Sequence, residues 1–199
     1  MGQIKVTKCP IEGLYIIEPT VHGDARGYFV ETYNQRDMHE AGLDMVFVQD
    51  NQSSSTKGVL RGLHFQIEHP QDKLVRVVRG EVFDVAVDLR ANSPTYGKYH
   101  GELLTEENKK QFLIPRGFAH GFLVLSDTAE FCYKCDDFYH PNDEGGMAWN
   151  DPEIGIVWPK LEGTYKGNAG AEGYTVDGVP LNLSEKDQKW LGIRDTIKF

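Results

Sequence analysis

The run KLVRVVRGEVFDVAVDLR, residues 73–90, decides the fold class. It holds two short apolar stretches rich in β-branched residues, divided by the turn signal Gly80, and so reads as two strands. Strand parity places Lys73 on the same face as Val75 and Val77, and Asp84 breaks the second stretch in the same way. Charged groups therefore enter an apolar lining. For Lys73 the plain explanation is a strand-end lysine that snorkels to water. A buried Asp84 needs a partner, and a histidine suits it.

Outward from this run the pattern repeats. GLYIIEP, GYFVETY, VLRGLHFQ, YHGELLT, QFLIP, GFLVLS and EFCYKC are short and closely spaced, with Gly, Pro, Asn and Asp turn signals between them. The expectation is an all-β sandwich or barrel, not alternating strand and helix units. Two short helices are expected. One begins near Asn34 in NQRDMHEAG, and the other spans about residues 184–192, where Ser184 and Asp187 make a capping box. The Gly-rich stretch from Gly163 to Gly178 reads as a surface loop within about residues 160–182. A single domain is expected, with its core over about residues 10–160.

Composition narrows the function classes. A formal charge of −9 argues against nucleic acid or an anionic membrane as the main partner, so any anionic ligand must be held by a few local cations. No membrane-length apolar run and no signal-like N-terminal core are present, which points to a cytoplasmic protein. Three cysteines do not make a disulfide framework. Cys132 and Cys135 lie in the strand-like AEFCYKCDDFY, where residues three apart point to opposite faces, so neither a disulfide nor a shared metal is expected.

Several polar residues fall where an apolar β core would not place them. His64 alternates with Gly62 and Gln66, while Leu63 and Phe65 take the other face. His120 closes IPRGFAH, where Pro115 and Gly117 fix a turn, and Tyr133 shares a face with Phe131 and Cys135. A strand histidine is ordinarily a hydrogen-bonded core or surface residue, and a tyrosine can simply fill space. Together these residues describe a cavity holding two imidazoles, a lysine and a phenol.

The segment Pro115-Arg116-Gly117-Phe118-Ala119-His120 resembles the second motif of the cupin superfamily, a double-stranded β-helix jelly roll. At the first motif this chain reads His64-Phe65-Gln66, with glutamine in place of the second metal-binding histidine. An amide oxygen is a poor partner for a transition metal beside imidazole, so a cupin-like barrel with no metal and no cofactor is expected.

The ordered series GDARGYFVETYN, FVQDN, VLRGLHFQ, GEVFDVAVDLR, IPRGFAHGF, EFCYKC, EGGMAWNDPEIGIVWP and LSEKD is similar to the dTDP-4-dehydrorhamnose 3,5-epimerase family from about residue 10 to about 195. One departure is a longer segment between IVWP and LSEKD. The resemblance implies a homodimer binding a dTDP-sugar in the barrel mouth. It implies His64 as general base, Asp187 as the carboxylate paired with it, Tyr133 as general acid and Lys73 beside the 4-keto oxygen. It further implies nucleotide-sugar contacts at Arg26, Glu31, Gln49, Asn51, Arg61, His120, Glu144 and Lys186, and an aromatic stack on thymine at Tyr139. Asp187 has a rival role as a helix-capping residue, and Asp84 is an alternative or additional orienter of an imidazole.

The residue types suit inversion of a carbon next to a ketone. Imidazole, with an ordinary pKa of about 6.5, can take the proton, and a phenol near 10 can return one to the opposite face. A lysine and a second histidine can hold the enolate oxygen. The expected reaction converts dTDP-4-dehydro-6-deoxy-D-glucose to dTDP-4-dehydro-L-rhamnose, in dTDP-L-rhamnose biosynthesis. The alternatives are inversion of one carbon of a related nucleotide 4-keto sugar, and a non-catalytic sugar-nucleotide binder.

Overall fold

In the computed structural model the described residues are 4–161, 175–176 and 179–199. The strands in chain order are β1 (Ile4–Lys8), β2 (Tyr15–Pro19), β3 (Val21–Asp24), β4 (Gly27–Val30), β5 (Gln49–Thr56), β6 (Leu60–Gln66), β7 (Lys73–Arg79) and β8 (Glu81–Asp88). They continue as β9 (Tyr99–Thr105), β10 (Gln111–Ile114), β11 (Phe118–Val124), β12 (Thr128–Cys135), β13 (Glu144–Gly146), β14 (Thr175–Val176) and β15 (Val179–Pro180). A helix α1 (Gln35–Glu40) lies between β4 and β5.

Two antiparallel sheets carry the architecture, one of six strands in the order β1-β2-β10-β7-β12-β5 and one of five in the order β13-β6-β11-β8-β9. This is the expected all-β, double-sheet arrangement. Alternation sends Val75, Val77, Phe112 and Phe131 of the first sheet against Val82, Ala86, Phe118 and Phe122 of the second. Phe122 and Phe131 stack across the gap at 4.1 Å between ring centroids, and each such buried ring contributes about 1.5–3 kcal/mol from area alone.

The outer faces are covered as well. On the five-stranded sheet, Leu63, Phe65, Val85, Val87 and Leu123 pack against Met147, Trp149, Trp158, Leu161, Leu183 and Ile193 from the C-terminal part of the chain. On the other sheet, Ile17, Leu74 and Leu113 pack against Met38 and Leu43. Helix α1 starts where expected, because the Asn34 side chain accepts from the Arg36 and Asp37 N–H groups.

The helix expected over residues 184–192 does not form. Asp187 donates its N–H to Ser184 Oγ at 3.2 Å, which is half of a capping box. Its carboxylate is taken up instead by His64, Gly62 and Trp190, and the chain makes a single turn there. The surface loop expected from Gly163 to Gly178 lies mostly outside the described residues, apart from β14, which pairs with β15. Among the described residues no helix is long and apolar enough to cross a membrane.

Candidate active site

A cavity of about 570 Å³ opens between the two sheets. His64 and Arg61 reach it from β6, His120 from β11, Lys73 from β7 and Tyr133 from β12, while Lys186 and Asp187 come from the turn that follows β15. The parity argument thus holds for His64, Lys73 and Tyr133, and local cations gather in a chain of net charge −9.

His64 Nε2 lies 2.6 Å from Asp187 Oδ1. The carboxylate side chain is 3% exposed and also accepts the Gly62 N–H at 3.3 Å and the Trp190 indole N–H at 3.2 Å. Burial disfavours its charge, yet the bonds from His64, Gly62 and Trp190 outweigh that and hold the Asp187 pKa below the ordinary value. An ionised Asp187 accepts from Nε2–H, so in the neutral ring the lone pair lies on Nδ1. Asp187 therefore orients the imidazole, while its own N–H is capped by Ser184.

The second imidazole has its own carboxylate. His120 Nε2 sits 3.0 Å from each oxygen of the fully buried Asp84. Burial raises the Asp84 pKa, while His120 and Lys73 pull it back. Lys73 stands in the opposite wall, on β7 of the six-stranded sheet. Burial lowers its pKa, and the charges of Cys135, Asp84 and Glu144 act in the opposite direction. The cysteines are free, as expected.

Arg61 breaks the alternation, since residues 61 and 64 should face opposite ways on a regular strand. The pairing of β11 with β6 jumps from His120↔His64 to Phe122↔Arg61, so Gly62 and Leu63 oppose Gly121 alone. Only glycines allow this approach: a Cβ on Gly121 would lie 2.5 Å from the Arg61 carbonyl oxygen, and one on Gly62 would lie 2.6 Å from Gly121 Cα. The bulge turns the guanidinium to the cavity side, where its Nε donates to Ser55 Oγ at 3.1 Å.

Tyr133 faces the dyad from the other sheet, and burial raises its pKa above the ordinary phenol value. Asn51 and Gln49 pair with Tyr133 and Cys135 across β5 and β12, and Gln49 Nε2 donates to Asn51 Oδ1 at 3.0 Å. Gln49 Oε1 accepts the Tyr139 N–H at 3.0 Å, the Tyr139 side chain is exposed, and Gln49, Asn51, Tyr139 and Glu144 are not among the residues that line the cavity. Glu144 binds Lys186 at 2.7 Å. Arg26 and Glu31 are not brought to this cavity: Arg26 pairs with Asp24 on the exposed β3–β4 hairpin, and Glu31 accepts from Asn34 Nδ2 at 2.9 Å. Sequence reading missed Trp190, Ser53 and Ser55. The indole three residues after Asp187 was the available signal for the first; the serines lie on a polar strand with no apolar alternation to mark it.

Directly before Lys73, the Asp72 carboxylate accepts the Arg116 N–H at 2.7 Å, while Asp136 accepts the Asp72 N–H at 2.6 Å. Burial, offset by the Arg116 bond and reinforced by the charge of Asp136, pushes the Asp72 pKa up to about 6. Between pH of about 4 and 6 the folded chain then holds a proton that the unfolded chain has released, so stability from this group falls as pH rises. Asp72→Asn is expected to gain about 1–2 kcal/mol at pH 7.5, after allowance for solvent screening, and no gain at pH 4. Urea unfolding at the two pH values checks it; an equal change at both would show that the carboxyl's titration is not involved.

The profile described as dTDP-4-dehydrorhamnose 3,5-epimerase matches residues 8–195. The chain belongs to the dTDP-4-dehydrorhamnose 3,5-epimerase family. A family enzyme of Pseudomonas aeruginosa is 57% identical, over 98% of this chain and 99% of its own. The dTDP-6-deoxy-D-glucose-3,5-epimerase of Legionella pneumophila, solved with dTDP-4-keto-L-rhamnose, superposes with a TM-score of 0.87 at 43% identity, covering 99% of both chains. ChmJ, a 3'-monoepimerase of Streptomyces bikiniensis solved with dTDP-quinovose, has a TM-score of 0.80 at 31% identity, covering 94% of this chain and 86% of its own. Membership of the dTDP-4-dehydrorhamnose 3,5-epimerase family makes the chain an epimerase with a cupin-like fold.

Proposed function

We propose that this epimerase inverts C3 and C5 of dTDP-4-dehydro-6-deoxy-D-glucose to give dTDP-4-dehydro-L-rhamnose, with no metal or cofactor. The observation that carries this reading is the His64–Asp187 dyad on one wall of the cavity with Tyr133 on the other. His64 takes the proton from the carbon next to the ketone, and the electron pair passes to the carbonyl oxygen. Lys73 and the His120–Asp84 pair supply positive charge and a hydrogen-bond donor at that oxygen. Tyr133 then protonates the carbon from the opposite face, and its raised pKa keeps the phenol protonated until the enolate forms. Asp187 stabilises the imidazolium in between.

Arg61 and Lys186 line the cavity where a diphosphate needs cations, and Gln49, Asn51, Tyr139 and Glu144 are assigned to the rest of the nucleotide sugar. Arg26 and Glu31 sit away from their own cavity, on and beside a hairpin that exposes Tyr28 and Phe29. We assign the chain to a cytoplasmic homodimer in which the partner subunit's Arg26 and the partner subunit's Glu31 complete the site. Metal independence rests on Gln66 and on the engagement of both imidazole Nε2 atoms with carboxylates.

Turnover of the 4-keto sugar nucleotide in deuterated water, followed by mass spectrometry, tests the reading. Two deuteriums in inverted product are expected, before and after prolonged chelation. One deuterium would make the chain a single-carbon epimerase, none a binder, and loss on chelation restored by one metal would overturn metal independence.

A further inference from the structure

Gln66 stands where the cupin pattern places a metal ligand, and the structure gives its amide other work. The side chain is 5% exposed. Its Nε2 donates to the His69 carbonyl at 2.7 Å and to the Phe138 carbonyl at 3.1 Å, and its Oε1 accepts the His140 N–H at 2.6 Å. The amide thus ties the segment after β6 to the segment after β12 and pins the backbone on both sides of Tyr139.

The Tyr139 N–H between them is also held, because it donates to Gln49 Oε1. From outside, the His69 and His140 rings stack at 4.0 Å, and Asp143 accepts the N–H groups of Glu68 and His69 at 2.8 Å each. Three consecutive residues are therefore fixed while the Tyr139 side chain itself stays 53% exposed. Such a platform is ordered before its ligand arrives. Ordering a loop during binding weakens affinity, so a loop fixed in advance binds a flat ring more tightly.

We propose that Gln66 is a positioning residue for the nucleobase: it presents the Tyr139 ring and sets affinity for the nucleoside end of the substrate, without part in proton transfer. This rests on the reading of Tyr139 as the base-stacking residue. A buried glutamine with three satisfied bonds has a purely structural rival role, which would lower melting temperature with no selective effect on the nucleoside.

The test uses Gln66→Glu, which keeps the acceptor for His140 and loses both donors, and Gln66→Met, which loses all three bonds at similar volume. Affinity is measured by calorimetry for dTDP and for inorganic pyrophosphate, a probe without a base, beside kcat and KM. Roughly tenfold weaker dTDP binding and a matching rise in KM are expected, with pyrophosphate affinity and kcat within about twofold. Equal weakening of both probes, or a fall in kcat at constant KM, would overturn the proposal. If neither variant folds, Asp143→Ala loosens the same platform from its outer side and should give the same split; unchanged dTDP affinity there would count against the proposal. Tyr139→Ala separates the two readings. Unchanged dTDP affinity in that variant sinks the stacking assignment itself, whereas loss there with none in the Gln66 variants sinks only the positioning role.

Discussion

His64→Asn should slow exchange of the substrate's C3 and C5 hydrogens with solvent by about 10²–10⁴-fold, while dTDP affinity stays within about threefold. Asparagine keeps a polar group near the Asp187 carboxylate, which is 3% exposed and would otherwise lose its His64 partner. What it cannot do is accept a proton from carbon near neutral pH. Arg61→Ala should do the reverse, because the guanidinium lines the cavity and has no place in proton transfer. Its first effect is on the affinity for dTDP. Exchange is read by proton NMR of the substrate in deuterated water and affinity by calorimetry. A His64→Asn enzyme that keeps most of its exchange rate would move the base to another residue, and His120, held by Asp84, would be the one to examine next.

The second large effect is expected at Tyr133. Tyr133→Phe keeps the ring, the dyad and Lys73, and removes only the hydroxyl. The variant should still form the enolate, so label from deuterated water should enter beside the ketone. Much of it should return on the original face from His64, and inverted product should fall by about 10²-fold or more. Phe131 lies 5.9 Å from the Tyr133 ring, so a space-filling role for the aromatic body is a real rival. Under that role phenylalanine is nearly neutral. Separating inverted from uninverted labelled sugar by chromatography decides between them, and full inversion at near wild-type rate would remove Tyr133 from the mechanism.

The readable parts of the sequence were those where period-two alternation met an intruding polar group. His64, Lys73 and Tyr133 line the cavity as strand parity requires, His120 lines it beside them, and Asp84 lies buried behind His120. Strand β5, QDNQSSST, carries the same alternation in exposure but not in hydrophobicity, so it left no signal to read. The C-terminal turn misled for a different reason. Ser184 and Asp187 have the spacing of a capping box, but the carboxylate gains more from His64, Gly62 and Trp190 than from closing the box. A local rule lost to a tertiary contact 123 residues away.

The doubled residues at Gly62 and Leu63 also bear on how portable this strand is. Grafted onto a flat, evenly paired sheet, VLRGLHFQ would keep its imidazole on the chosen side and send its arginine into whatever lies behind. The unit that can be transplanted is therefore two strands wide, with Gly121 travelling alongside Gly62.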